Sequence, residues 1–363
     1  MTVRQPSSFE RTVRAGVIGT GWADRVLIPA LQAGGVDVVG VASRDRHRAR
    51  AVASRHGIET ATGSWRDLLE LELDLVAVTS PPALHREQAV AVLEAGRHLL
   101  CEKPLALDAA EAEAIAAAAR AAPGVRALVD HELRFTPARR KAKELIDSGA
   151  IGRVLTVTAR VAGGMRVDPT QSWSWWSDAA QGGGILSALG SHVLDSVRWL
   201  LGSEIDLHGA TLGRVYPTRL DDEGEQRVVT SDDIASLTFR TGEVVGTVLL
   251  HGAALDDAID LFTVRGTEGS LVIDRSLKLY LGKRGGPFKE YRTQLPAIVP
   301  NRFRASGFAA GSVLFADALR RALIEGEDDA LADAATIDDG LAVQRLIDEA
   351  RRLDGDADAP RGG

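Results

Sequence analysis

Three glycines at residues 182–184 run into "ILSALGSHVLDSVRWLLG", which reads as an amphipathic helix with His192 and Asp195 near its start. Positions 188, 192 and 195 share one helical face, because residues three and four apart lie above one another. The first of them is an alanine. A histidine titrates near neutral pH, so it can take a hydroxyl proton and return it. A second candidate is "LLCEKPLAL", which sets Glu102, Lys103 and Pro104 at the carboxyl end of an apolar run. A lysine there can hold negative charge developing on a substrate oxygen. Taken alone, Glu-Lys-Pro is more often a surface turn than a site. A third is "GVIGTGWADR", where Gly19 and Gly21 separate a short apolar run from a helical one. Glycines at that turn let backbone approach a pyrophosphate, and a helix N-terminus presents free N–H groups to it.

These residues need a scaffold, and the apolar pattern supplies one. From residue 13, near-continuous apolar runs ("VRAGVIG", "VDVVGVAS", "LDLVAVTS", "RHLLCE", "VRALVD") alternate with helical stretches. Runs of that kind are strands buried on both faces, and the alternation implies a parallel, doubly wound sheet in an α/β domain. The glycine loop and the Glu-Lys-Pro stretch then fall at the carboxyl edge of the sheet, where such folds bind ligands. After about residue 152, strands follow one another through tight turns such as "RTGE" and "GTEGS", giving an α+β domain with a mostly antiparallel sheet. Two helices close the chain, near 308–325 and 336–352. The expected division is 11–130 for the first domain and 131–350 for the second, with flexible tails at 1–10 and 353–363.

The third glycine position of the loop is Asp24, an anion that repels phosphates unless its side chain turns away. The second strand ends in Ser43 and Arg44 rather than an acidic residue. A hydroxyl and a guanidinium suit a ribose 2′-phosphate, which favours NADP over NAD; the alternative is that Arg44 is a solvated arginine and Asp45 binds the ribose. "QSWSWWSDAAQ" puts Trp173, Trp175 and Trp176 before the glycines, where aromatic rings fit either a sugar face or an interface. No His, Asp or Glu cluster has metal-ligand spacing.

Composition bounds the rest. The 363 residues are 45% hydrophobic and 26% charged, with a net charge of −7. That balance is ordinary for a soluble protein and speaks against nucleic acid or an anionic membrane as partner. Cys101 is the only cysteine, which excludes an intrachain disulfide. The polar N-terminus lacks a secretory apolar core, so the expectation is a cytoplasmic protein.

"VTSPPALHREQAVAVLEAGRHLLCEKPLAL", "GVIGTGW", "ELRFTPARRKAKELIDSGAIGRV" and the "GGG…GSHVLD" helix together resemble the glucose–fructose oxidoreductase, inositol dehydrogenase and MocA family, over residues 13–350. The resemblance implies an N-terminal Rossmann domain and hydride transfer between nicotinamide and a sugar, polyol or related compound. It implies Lys103 and His192 as catalytic residues and Asp195 as a substrate-binding carboxylate. It places Gly19, Gly21, Trp22, Ser43, Arg44, Ser80, His85, Glu102 and Lys103 around the cofactor. His85 fits a helix-start packing role equally well. Two positions depart from the pattern: Ala188 replaces a usual aspartate, and Glu132 a frequent asparagine. Glu132 is then either a replacement carboxylate at the substrate or a structural ion-pair partner. The implied function is an NADP-dependent dehydrogenase, with a redox-assisted glycoside lyase or a non-catalytic dinucleotide sensor as alternatives. A homodimer or homotetramer through the C-terminal sheet is the expected assembly.

Overall fold

The computed structural model describes residues 12–255 and 259–357. Its first sheet collects β1 (Arg14–Ile18), β2 (Asp37–Ala42), β3 (Thr60–Thr62), β4 (Leu75–Val78), β5 (His98–Cys101) and β6 (Ala127–Val129). They are parallel in the order β6-β5-β4-β1-β2-β3, as the buried apolar runs require. The crossover helices α1 (Ile28–Ala33), α2 (Arg46–His56), α3 (Trp65–Leu69), α4 (His85–Glu94) and α5 (Ala109–Ala121) bury its strands in two clusters.

Helix α6 (Pro137–Asp147) then leads to β7 (Val154–Ala162), and a long loop leads to α7 (Ser191–Leu201). β8 (Asp206–Gly213) and the small hairpin β9 (Thr218–Leu220) and β10 (Gln226–Val228) come next. They are followed by β11 (Ile234–Thr241), β12 (Val244–His251), β13 (Ile259–Gly266), β14 (Gly269–Asp274), β15 (Leu279–Lys283) and β16 (Phe288–Tyr291). These form an eight-stranded sheet, β16-β15-β14-β13-β7-β12-β11-β8, in which only the β7–β12 pair is parallel. One face packs on α6 and α7 through residues such as Phe239, Leu250 and Val264. The other carries Leu249 and Leu261, each about two-fifths exposed, beside Thr158, Thr247 and Arg160. The sequence pattern missed β8, β9 and β16, whose apolar alternation is too short or too weak to read.

The chain does not divide cleanly at residue 130. Helix α8 (Gly307–Arg320) packs on α1, where a Cβ on Gly34 would meet Ala316 at 2.5 Å. Strand β17 (Ala335–Thr336) then pairs antiparallel with β6, adding a seventh strand to the first sheet. Helix α9 (Ile337–Ala357) extends five residues into the segment expected as a C-terminal tail. The N-terminal tail and residues 358–363 lie outside the described residues.

Candidate active site

The carboxyl ends of β1, β2, β4, β5 and β6 bring together Gly19, Ser43, Ser80, Lys103 and Glu132 at one edge, facing the start of α7. Gly19 has φ +112°, and a Cβ there would lie 2.5–2.7 Å from Thr79 at the end of β4. Only glycine lets the loop press that closely. At Gly21 the same construction meets nothing within 4 Å, so the loop is open on that side. Trp22 is half-buried against the core beneath. Asp24 turns away: its carboxylate pairs with Arg55, and with His56 Nε2 at 2.9 Å, both in the last turn of α2. Burial pushes its pKa up, but the two partners outweigh this and hold it below the ordinary value. The anion in the glycine motif is thereby removed from the phosphate side.

Ser43 Oγ accepts a hydrogen bond from Thr20 Oγ1 at 3.3 Å. Arg44 is exposed and has no hydrogen-bond or ion-pair partner among the described residues. Asp45, the rival for the ribose, caps α2: its Oδ1 accepts from the backbone N–H of His47 at 2.9 Å and of Arg48 at 3.2 Å. These features fit a dinucleotide. A cradle bare of side chains sits at a helix start, and an unpaired cation stands at the end of β2.

His85 is placed differently from the expectation at the cofactor. It is 1% exposed, with Nε2 2.7 Å from the Ser80 carbonyl and Nδ1 3.1 Å from that of Pro104. The ring braces the end of β4 against the turn after β5, with no edge left for a ligand. Burial lowers its pKa, while the backbone carbonyls around it pull the other way. Ser80 Oγ is likewise engaged, donating to Gln88 Oε1 at 2.7 Å. Glu102 folds back to accept from the Lys103 backbone N–H at 3.2 Å and is nearly buried.

Lys103 reaches across to the second half of the chain. Its Nζ donates to the Ala188 carbonyl at 3.1 Å, in a wide π turn (Leu186–Gly190) that precedes α7. One turn later, His192 is 3% exposed, with Nδ1 sealed and unpartnered. Phe308 of α8 packs on its ring at 5.0 Å between centroids, and His131 meets it edge-on at 5.6 Å. Burial, reinforced by Lys103, His131 and Arg139, drives the His192 pKa well below its ordinary value. His131 is pushed to about 4, chiefly by burial.

Asp195, expected at the substrate, is buried and paired with an arginine. Its carboxylate is gripped by Arg134 (Nε to Oδ2 2.9 Å, Nη2 to Oδ1 2.5 Å), and both side chains are buried. A two-pronged pair of this kind takes one acceptor site on each oxygen and fixes the carboxylate in place. Glu132 is buried as well, with Oε2 3.9 Å from His192 Nδ1. Glu102, Asp130 and Glu132 form an acidic group around Lys103. Burial first, then mutual repulsion, raises Asp130 and Glu132 well above the carboxylate range. Treated as ionised, neither oxygen of Asp130 has a donor; a proton shared with Glu102 relieves that.

Trp176 is half-buried with a sealed Nε1, and its carbonyl accepts from Ser231 Oγ at 2.8 Å. A Cβ on Gly183 would stand 2.2 Å from that carbonyl, which explains one glycine of the run. Trp173 is tied to the hairpin, its Nε1 donating to the Val228 carbonyl at 2.9 Å. Among the described residues no group of three or more His, Cys, Asp or Glu could hold a metal ion, and no helix is long and apolar enough to cross a membrane. Sequence reasoning passed over Asp130, His131 and Arg134. The first two stand directly at the end of β6, so the strand-edge rule reaches them; the Arg134–Asp195 pair spans 61 residues and leaves no local signal.

Residues 13–131 match the oxidoreductase family with an NAD-binding Rossmann fold, Gfo/Idh/MocA, and residues 139–272 match its C-terminal domain. Glucose-fructose oxidoreductase domain-containing protein 2 of Xenopus laevis is 31% identical over 93% of this chain and 90% of its own length. Levoglucosan dehydrogenase of Pseudarthrobacter phenanthrenivorans is 31% identical over 64% of each chain. A solved levoglucosan dehydrogenase in complex with NADH and levoglucosan superposes with a TM-score of 0.84 at 25% identity, covering 95% of this chain and 98% of that one. With its glycine loop, its strand-end lysine and its two sheets in place, this chain belongs to the Gfo/Idh/MocA family of NAD-binding oxidoreductases.

Proposed function

We propose that the chain transfers a hydride between NADP and a secondary alcohol of a sugar, polyol or inositol-like substrate. One observation carries this reading: the Lys103–Ala188 hydrogen bond sets an ammonium from the cofactor-side sheet one helical turn from His192. Lys103 stabilises the charge on the reacting oxygen, and neutral His192 takes the hydroxyl proton. The low pKa of His192 keeps it an acceptor at neutral pH. Gly19, Gly21 and Trp22 line the dinucleotide side, where the bound nicotinamide supplies the hydride acceptor. Ser43 and Arg44 receive the 2′-phosphate, which the unpartnered guanidinium and the capping role of Asp45 support. Trp176 offers an aromatic face to the substrate. Asp195 acts through Arg134, as a positioning residue.

A sensor has no need of two sealed, unpartnered histidine nitrogens and a buried acidic group, each of which costs stability. Absorbance at the reduced-nicotinamide band, with NADP or NAD and a panel of sugars, polyols, inositols and an anhydrosugar, tests the reading. Turnover with NADP and one substrate class supports it; cofactor binding with a flat trace across the panel sinks it. Product formation without net cofactor change would point to the lyase. A cytoplasmic location, tested by cell fractionation, and a dimer or tetramer through the open face of the eight-stranded sheet belong to the same proposal. A monomer in light scattering removes the assembly.

A further inference from the structure

The His192 ring has one sealed edge. Nδ1 has no hydrogen-bond partner, and Oε2 of Glu132 stands 3.9 Å from it. Nε2 is the edge left for a substrate. Glu132 occupies the short turn after β6 (Glu132–Phe135), and no lysine or arginine forms an ion pair with it among the described residues. Helix α8 roofs both partners. Phe308 lies on His192, and three residues on, Gly311 is so close to the Glu132 backbone that a Cβ would be 2.4 Å from its carbonyl oxygen. The helix that carries His192 offers it no acid of its own, since position 188, one turn earlier, bears a methyl group and Asp195 is held by Arg134.

We propose that Glu132 is the proton-relay partner of His192, a carboxyl supplied from the end of β6. The step rests on the dehydrogenase reading above. In alcohol oxidation the substrate O–H bond breaks toward Nε2 while the C–H bond gives up its hydride and the C=O bond forms. The proton on Nδ1 passes to Glu132 Oε2, so the ring ends neutral and the carboxylate ends protonated. In reduction each transfer runs backwards. A side-chain adjustment of about 1 Å closes the gap to hydrogen-bond length.

The surroundings explain why a relay is needed. Lys103 from β5, His131 from β6 and Arg139 from α6 all disfavour a lasting imidazolium, and α8 contributes no charge there. Glu132 faces Asp130 and Glu102, which with burial hold its proton on, and Lys103, which opposes them. The resting pair is therefore charged with a proton for reduction. Oxidation requires Glu132 to ionise first, so its rate climbs with pH along a limb set above the ordinary carboxylate range.

The test is Glu132→Gln, which matches the protonated acid in shape. Oxidation kcat is expected to fall about 10- to 100-fold with KM nearly unchanged, and the acidic limb of the pH profile to vanish. Adding Ala188→Asp, a carboxylate one turn from His192, should recover about tenfold of the loss. Glu132→Asp, a second variant, should keep a displaced limb. A limb that survives in Glu132→Gln overturns the proposal, as does a kcat loss that Ala188→Asp does not repair. A turnover-independent check uses 15N-histidine labelling of the full chain, with His192→Gln for assignment. The Nδ1 shift of His192 should follow pH in the parent and stay flat in Glu132→Gln. Identical titrations in both refute the relay. A coupled titration in a protein that turns over nothing in the panel overturns the dehydrogenase reading instead.

Discussion

On the glycine-loop wall of the cleft, Asp24 is neutralised by Arg55 and His56, and Asp45 is occupied in capping α2. On the helix wall, His131 and His192 keep sealed nitrogens without hydrogen-bond partners, and Asp130 shares a proton with Glu102. The first wall offers backbone, open space and the unpaired guanidinium of Arg44, which is what holding an anion requires. The second wall stores groups at unfavourable protonation states, which is what moving a proton requires. Substitutions on the two walls should therefore be read out differently: in cofactor affinity on one, in turnover and pH dependence on the other.

The largest effect is expected at His192. His192→Ala should lower turnover about 10²- to 10⁴-fold and leave cofactor affinity, by fluorescence titration, within about twofold. Loss of cofactor binding in that variant would erase the distinction between the walls. Next is Arg134→Ala, which strands Asp195 as a buried, unpaired charge. It should cost about 3–5 kcal/mol in urea unfolding; a cost near zero would show that the pair is not a structural lock. His131 comes third. Its pKa of about 4 in the fold lies below the unfolded value near 6.5, so the unfolded state binds the proton first. Its contribution is complete above pH 6.5 and is lost as pH falls toward 4, amounting to about 3 kcal/mol. His131→Gln should flatten that slope of stability against pH. The smallest is Arg44→Ala, expected to weaken NADP about tenfold and NAD hardly at all. Equal losses for both cofactors would assign Arg44 no part in the 2′-phosphate.

The first wall was largely legible in the sequence because its parts are local. Gly19, Gly21 and Arg44 lie at strand ends that periodicity alone locates, and the crossover order then fixes their common edge. The second wall depends on approaches between distant segments. Periodicity puts His192 on a helix but cannot show Glu132 beside it, since that proximity comes from α8 pressing Gly311 on one and Phe308 on the other. The partner of Asp195 is hidden for the same reason: a carboxylate on the catalytic face looks unpaired until a guanidinium 61 residues away is known to hold it. His85 shows the converse, a residue at the expected place whose two ring nitrogens are already occupied by carbonyls.

Lys103 takes its grip from a backbone carbonyl, not a side chain. Every amino acid except one that distorts the turn supplies that same oxygen at position 188. The anchor of the lysine is thereby insulated from the identity of the residue that provides it. Position 188 can gain or lose an acid without unseating Lys103, which makes it a place where substrate preference can drift while the charge at the reacting oxygen stays fixed.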